Sequence, residues 1–346
     1  MTQPAAVIVL AAGQGTRMKS DLPKVLHPVA GLSMIGHALR AAGSLHPARL
    51  VTVVRHQRET VAAEVLRVAP HALLADQDEI PGTGRAVQCG LQALVDAGAD
   101  IAGTIVVTSG DVPMLSHDTL ARLVTTHEDA DNAVTVLTSI APDPTGYGRI
   151  IRDEAGIVTR IVEQRDATQA QRAITEVNAG IYAFDGAFLH QALQGLGTNN
   201  DQGEVYLTDV LAAAAPSGRT AGAVLLEDPW QAEGCNDRVQ LAQLGAEFNR
   251  RICEAHMRAG VSITDPASTW IDVDVTIGAD TTIHPGTLLR GHTTVGSHCH
   301  IGPGATLTNV TVGDGAHVPT VWADNTTVTP GAMVTPFLVL GQSTGD

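Results

Sequence analysis

No run of uninterrupted apolar residues in this chain approaches twenty, which excludes a membrane-spanning helix. Cysteine is sparse. Cys89, Cys235, Cys253 and Cys299 stand far apart and form no Cys-x-x-Cys pair, so neither a zinc knot nor a disulfide framework is indicated, and buried free thiols are expected. A basic leader is also missing: the apolar run Ala5 to Ala12 follows Met1 closely, with no cleavage-site pattern, so a cytoplasmic protein is expected. Positive charge is in short supply, 21 Lys and Arg against 36 Asp and Glu, and a net charge of -15 argues against a nucleic-acid surface. Lysine is scarcer still. Only Lys19 and Lys24 occur, both in one short segment near the N-terminus. A compact ammonium suits a phosphate oxygen, so any anion site is expected to be local and to lie there.

What is present belongs to an ordinary globular chain: 346 residues, 44% hydrophobic and 16% charged, enough for one large domain and a smaller second one without disulfide support. The first two hundred or so residues alternate β-branched runs with helical patterns, which indicates an α/β fold with a largely parallel sheet. Val7 to Leu10, Leu50 to Val54, Ile105 to Thr108 and Ala133 to Leu137 are the clearest strands. Ligands of such sheets bind beyond the carboxyl ends of the strands, which directs attention to residues 11 to 24 and to Ser109 to Pro113. From Arg238 to His256, Val239, Leu241, Leu244, Phe248 and Ile252 recur at roughly helical spacing and predict a connector helix. Beyond it Ile271, Ile277, Ile283, Leu289, Val295, Ile301 and Leu307 repeat every six residues, the mark of a parallel β-helix. After a slip to Val312 and Val318, the period is expected to resume at Trp322, Val328, Val334 and Leu340, giving about four coils.

The segment Leu10-Ala-Ala-Gly-Gln-Gly-Thr-Arg-Met18 follows a strand and reads as a glycine-rich turn whose main-chain N–H groups can face an anion. It lacks the third glycine of a dinucleotide fingerprint, since Met18 stands there, and lacks the Gly-Lys-Ser/Thr of a P-loop. Arg17 and Lys24, the latter in Pro23-Lys-Val-Leu26, add cationic charge to it. That combination suits triphosphate chemistry, in which catalysis is mostly positioning and stabilisation of charge on phosphate oxygens. Asp111 after its strand serves as readily for a helix cap as for a metal ligand. His284, His292, His298 and His300 are expected to be solvated side chains rather than ligands.

Leu-Ala-Ala-Gly-x-Gly-Thr-Arg-Met with Pro-Lys-Val-Leu behind it resembles the bacterial N-acetylglucosamine-1-phosphate uridyltransferase, usually fused to a glucosamine-1-phosphate acetyltransferase in the bifunctional GlmU family. The resemblance runs from Val7 into the hexad repeat. In order along it stand Gly82-Thr-Gly84, Ser109-Gly-Asp-Val-Pro113, Gly146-Tyr-Gly-Arg149, Ile161-Val-Glu163, Glu176-Val-Asn-Ala-Gly180 and Gly234-Cys-Asn236. It implies a Rossmann-like nucleotidyltransferase domain with a mostly parallel mixed sheet over residues 1–237, a linker helix over 238–260 and a short left-handed parallel β-helix over 261–346. It further implies that Leu10, Ala11, Ala12 and Gly13 line the uridine while Gln77, Gly82 and Thr83 read the uracil, and that Asp111 and Asn236 hold a magnesium ion. Gly148, Glu163 and Asn178 would embrace the sugar, Gly110 would belong to the substrate site, and Arg17 and Lys24 would be catalytic. Two positions depart from the family's pattern: Ile80, where Gln is frequent, and Ser109, where an aromatic residue is.

The implied reaction joins UTP to N-acetylglucosamine 1-phosphate and releases pyrophosphate, a step of cell-wall precursor synthesis. The family's acetyl-coenzyme A site and catalytic histidine lie on later coils, and the tail Thr335 to Ser343 lacks an expected Arg-Pro-Gly turn, so acetyl transfer is expected to be absent. The resemblance also implies a homotrimer assembled through the β-helix. Three rivals stand beside this reading: a transferase of the same chemistry with another sugar or base, a noncatalytic UDP-sugar binder that uses its solenoid for assembly, and a hexapeptide-repeat acetyltransferase, which the short solenoid disfavours.

Overall fold

Ala6–Ala11 is apolar at every position, so as a strand it can be buried on both faces, and it occupies the middle of a sheet. In chain order the elements around this first strand, β1 (Ala6–Ala11), are β2 (Pro28–Val29), β3 (Leu32–Ser33), α1 (Met34–Gly43), β4 (Arg49–Val54), α2 (Arg58–Val68), β5 (Leu73–Asp76), α3 (Thr83–Asp96) and β6 (Thr104–Ser109). They continue with α4 (His117–Asp129), β7 (Val134–Ile140), β8 (Arg149–Arg152), β9 (Val158–Val162), α5 (Gln169–Arg172), β10 (Glu176–Asp185), α6 (Gly186–Gln194), β11 (Ala221–Leu225) and α7 (Arg238–Arg258). The computed structural model describes residues 3–198 and 200–341; the last five positions of the segment 261–346, and with them the end of the tail read from the sequence, lie outside the described residues. The chain forms two compact units, one holding the residues up to His27 with Ser33–Asp237, the other holding Pro28–Leu32 with the chain from Arg238 onward.

In the first unit the sheet runs β11-β7-β10-β6-β1-β4-β5, with β8 and β9 extending from β10. β1 pairs in parallel with β4 and β6, and β4 with β5, whereas β10 is antiparallel to both β6 and β7, so the sheet is mixed but mostly parallel. Alternation along the strands divides the core in two. Ile8, Val53, Ile105 and Val107 face one side with α3 and α6, and Val7, Val9, Val54 and Val106 face the other with α1, α2 and α4. The register that sets Leu10 against Ser109 brings the carboxyl ends of β1 and β6 side by side, and both expected site loops leave from there.

The second unit begins with α7, followed by short parallel strands stacked in three sheets of four, five and four strands, the left-handed β-helix of a hexapeptide-repeat protein. Each coil turns one aliphatic side chain inward per side, in the columns Ile283–Ile301–Val318, Ile271–Leu289–Leu307–Ala323 and Val295–Val312–Val328. Corner positions between them take small or β-branched side chains: Thr281, Thr287, Thr293, Cys299, Ala305 and Ala316 are all fully buried. The expected interior position at Trp322 is not borne out. Ala323 is the inward residue, 0% exposed, while Trp322 points out at 51%. Strict counting by six from Trp322 misses this because the sides Val318 to Ala323 and Ala323 to Val328 are each one residue short, which turns Ala323 rather than Trp322 into the column of Leu307. His284 and His300 stack on an outer face with ring centroids 6.0 Å apart, and His317 lies 5.8 Å beyond His300. Among the described residues no helix is long and apolar enough to cross a membrane.

Asn249 ties α7 to the first coil. Its Nδ2 donates to the Thr269 carbonyl at 2.7 Å and its Oδ1 accepts from the Ile271 N–H at 3.0 Å, which satisfies an edge strand's backbone inside the core. Asn249→Ala leaves the buried Ile271 N–H without its side-chain acceptor and the Thr269 carbonyl with only the weak Cys253 thiol donor at 3.8 Å, and is expected to lower the stability of this unit by about 3 kcal/mol. Calorimetry of the variant reads this, and an unchanged unfolding midpoint contradicts it.

Candidate functional site

The loop after β1 is shaped by two tight turns. Gly15 sits at φ +65°, and a side chain there would collide with Cβ of Lys24, so only glycine lets the two segments cross. Met18, 1% exposed, pins the first turn into the core, and Pro23 leads into a second turn, Lys24–Leu26. These anchors bring both cationic side chains to the ends of β1 and β6. There the Lys24 ammonium forms an ion pair with Oδ2 of Asp111 and lies 3.4 Å from Oδ1 of Asn236, which also accepts from Arg17 at 2.8 Å. Ser109 donates to the other carboxylate oxygen of Asp111 at 2.6 Å, so both oxygens are oriented. The Cys235 N–H bonds the Asp111 carbonyl at 3.2 Å and holds the Gly234-Cys-Asn236 loop in place. Burial pushes the Cys235 thiol up to about 11, so this cysteine is an inert packing group.

A cleft of about 450 Å³ opens from this cluster along the carboxyl edge of the sheet. Leu10, Ala11, Ala12, Gly13, Lys24, Gln77, Gly82, Thr83, Asp111, Glu163 and Asn178 all line it. At one end Gly82 has φ +120°, and a Cβ there would run into the backbone of Val205. The Gly82 turn is zipped to the segment 204–208 by Gly84 N–H to Val205 O at 2.8 Å, Val205 N–H to Pro81 O at 3.0 Å and Leu207 N–H to Thr83 Oγ1 at 3.2 Å. Gln77 donates its amide N–H to the carbonyls of Ile80 at 3.0 Å and Gly82 at 3.2 Å, which orients its Oε1 as the acceptor end. Ile80 itself is exposed.

At the other end Thr208 donates to Glu163 at 3.2 Å. Desolvation, with Asp166, Asp209 and Glu204 nearby, holds the Glu163 carboxyl above its ordinary range. A β-bulge interrupts β10 between Asn178 and Tyr182, and Gly180 within it has φ +74°. The bulge folds Asn178 back onto its own strand: Gly180 N–H donates to its Oδ1 at 2.9 Å and its Nδ2 donates to the Tyr182 hydroxyl at 2.7 Å.

Two expected substrate residues lie behind the wall rather than on it. Gly110 bonds Leu10 O through its N–H at 2.9 Å, and a Cβ there would press on Ile35 at 3.4 Å, so its smallness serves packing of β6 against α1. Gly148 is buried, and a Cβ would stand 2.8 Å from Ile161 and 3.4 Å from Oε1 of Glu163, so its smallness leaves the carboxylate unobstructed. Arg17 is at the exposed rim, joined to the cluster only through Asn236. Glu204, Thr208, Tyr182, Arg55 and His56 also line the cleft and were not singled out from the sequence. The run Gly203-Glu-Val-Tyr-Leu-Thr-Asp209 offered one signal, acidic and hydroxyl residues flanking an apolar triplet where a turn of 3-10 helix begins. A larger hollow of about 590 Å³ lies elsewhere, where α3 meets α6, and its one arginine, Arg85, is already paired with Asp78.

Residues 7–176 match the family described as MobA-like NTP transferase domain, and residues 274–309 match six repeats of the bacterial transferase hexapeptide family. The bifunctional protein GlmU of Paenarthrobacter aurescens (strain TC1) is 55% identical over 341 residues, 99% of this chain and 68% of that protein. GlmU of Pseudarthrobacter chlorophenolicus is 55% identical over 343 residues, 99% of this chain and 70% of that protein. GlmU of Mycolicibacterium smegmatis is 53% identical over 344 residues, 98% of this chain and 71% of that protein. Identity of that order across nearly the whole chain, over the same succession of nucleotidyltransferase sheet and hexapeptide coils, means that the chain belongs to the bifunctional GlmU family and is a sugar-1-phosphate nucleotidyltransferase.

Proposed function

We propose that this enzyme transfers the uridylyl group of UTP to N-acetylglucosamine 1-phosphate, with magnesium as its divalent cation, giving UDP-N-acetylglucosamine and pyrophosphate. The observation that carries the reading is the sharing of one ammonium, that of Lys24, between Asp111 and Asn236 at the mouth of the glycine loop. Two hard oxygens that converge on one cation suit an ion that takes few protein ligands and completes its shell with phosphate and water. Asp111 and Asn236 would hold it, and it would neutralise charge shared by the nucleotide and sugar phosphates.

The remaining chemistry falls to the chain itself. An ionised phosphate oxygen of the sugar phosphate attacks the α-phosphorus in line. The bond to the bridging oxygen breaks and its electron pair leaves with pyrophosphate, so no general base is required. Lys24 and Arg17 stabilise the charge that grows on the triphosphate. Leu10 to Gly13 bound the uridine, and the Oε1 of Gln77, oriented by its own loop, matches the uracil N3–H. Gly82 and Thr83 complete that end, while Glu163 and Asn178 meet the sugar and Gly148 behind them leaves room for the Glu163 carboxylate. We assign this chemistry to residues 1–237, a connecting role to 238–260 and assembly as a homotrimer to the β-helix of 261–346. UTP supply fits work in the cytoplasm.

A pyrophosphate-release assay across four nucleotides and several sugar 1-phosphates is expected to select UTP and N-acetylglucosamine 1-phosphate; preference for another pair overturns the specific reading. Lys24→Ala and Asp111→Ala are each expected to lower kcat by about a hundredfold to a thousandfold without unfolding the protein, and near-wild-type turnover of either refutes its role. Because the Glu163 carboxyl is raised by burial, the folded state binds its proton more tightly than the unfolded chain does, and its ionisation lowers stability as pH climbs from the ordinary glutamate range through the raised value. Glu163→Gln is therefore expected to stabilise the ligand-free protein at neutral pH, with the gain vanishing below the ordinary glutamate range, while KM for the sugar phosphate rises; a pH series of unfolding midpoints checks the first and steady-state kinetics the second. Light scattering at micromolar concentration is expected to give a trimer mass, and a strict monomer removes the assembly proposal.

A further inference from the structure

Tyr182 stands in an unusual position for a phenol. It is 3% exposed, its ring stacks on Phe184 with centroids 5.4 Å apart, and it is one of the residues that line the cleft. Its hydroxyl accepts the Asn178 Nδ2–H at 2.7 Å. A phenol carries one hydrogen of its own to donate. Among the described residues nothing accepts that hydrogen, and burial raises the phenol's pKa, so the proton stays on the oxygen. Asn178 is oriented in the same sense: its Oδ1 is occupied by Gly180 N–H, which leaves the second hydrogen of its amide nitrogen as the group it offers. This stretch of the wall presents two unused donor hydrogens against one open lone pair, the second on Asn178 Oδ1. Glu163, which accepts from Thr208, makes no hydrogen bond to the Tyr182 hydroxyl.

We propose that the Tyr182 hydroxyl donates into the sugar subsite and, together with Asn178, reads a carbonyl oxygen on the substituent next to the anomeric carbon, so that Tyr182 sets the preference for an acetamido sugar. A carbonyl oxygen has two lone pairs and no hydrogen, and it can take both donors at once. A hydroxyl can take one donor but must place its own hydrogen elsewhere. An ammonium brings only hydrogens and leaves both wall donors unpaired, the kind of mismatch by which a polar site rejects a near-isostere. The order acetamido, then hydroxyl, then ammonium follows, against the pull of the acidic groups around Glu163. This inference rests on the assignment of Glu163 and Asn178 to the sugar.

Tyr182→Phe removes the donor and keeps the ring. Titration calorimetry of wild type and variant with UDP-N-acetylglucosamine, UDP-glucose and UDP-glucosamine tests it. The variant is expected to bind UDP-N-acetylglucosamine about tenfold more weakly and UDP-glucose within about twofold of wild type, with the same split in KM rather than kcat for the matching sugar 1-phosphates. An equal loss for all three ligands, as a purely structural role would give, overturns the proposal, and so does no loss for any. A wild type that binds UDP-glucose as tightly as UDP-N-acetylglucosamine also overturns it. Absence of uridylyl transfer by the wild type would instead sink the reaction proposed above, while the binding ratios still decide the role of Tyr182.

Discussion

One ammonium between two oxygens organises this molecule. Lys24, Asp111 and Asn236 come from three distant segments, and nothing local would bring them together. The parallel pairing of β1 with β6 sets two loops side by side, the turn at Gly15 swings Lys24 across, and the Cys235 N–H fastens the third segment to the Asp111 carbonyl. The pair is mostly shielded, with side chains 14% and 16% exposed, so each charge needs the other, since a lone charge there would be costly. The protein thus keeps the Asp111 carboxylate neutralised by the Lys24 ammonium, the pair on which the proposed reaction rests.

The cleft beyond that cluster is built by hydrogen-bond direction as much as by shape. Gln77 is turned so that it offers an acceptor, and Asn178 so that it offers a donor, in each case because the amide's other end is engaged by the chain itself. Glu163, also in the cleft wall, is an acceptor held in an environment that resists its charge. That resistance costs the empty protein stability, and sugar hydroxyls that donate to the carboxylate would offset it, so part of the binding energy is stored in the unliganded site.

Much of this was legible in the sequence. Continuous apolar runs located β1, β4 and β6, because strands buried on both faces need no polar alternation. The scarcity of lysine pointed to Lys24, and Leu10 to Gly13, Gln77, Gly82, Thr83, Asp111, Glu163 and Asn178 line one cleft. What stayed hidden is what pairing across long separations decides. The segment 204–208 comes to the cleft because it zips to the Gly82 turn, more than a hundred residues away, and Tyr182 reaches it where a bulge shifts the register of β10. Gly110 and Gly148 show the converse: a motif marks that a glycine is required but not whether a ligand or a neighbouring side chain requires it. At Trp322 the count by six failed because two sides of the coil are shorter than the repeat.

Those short sides bear on how the solenoid can vary in length. Ile283 and Ile301 are register partners one coil apart, so deleting that whole interval would join surfaces that already match their new neighbours. Deleting a single residue within a side is different, for it would rotate every later aliphatic side chain outward unless the corner absorbed the change, as it does where Ala323 replaces a larger residue. Natural insertions and deletions in such a domain should therefore arrive as entire turns, or as single residues accompanied by a small side chain at the next interior site.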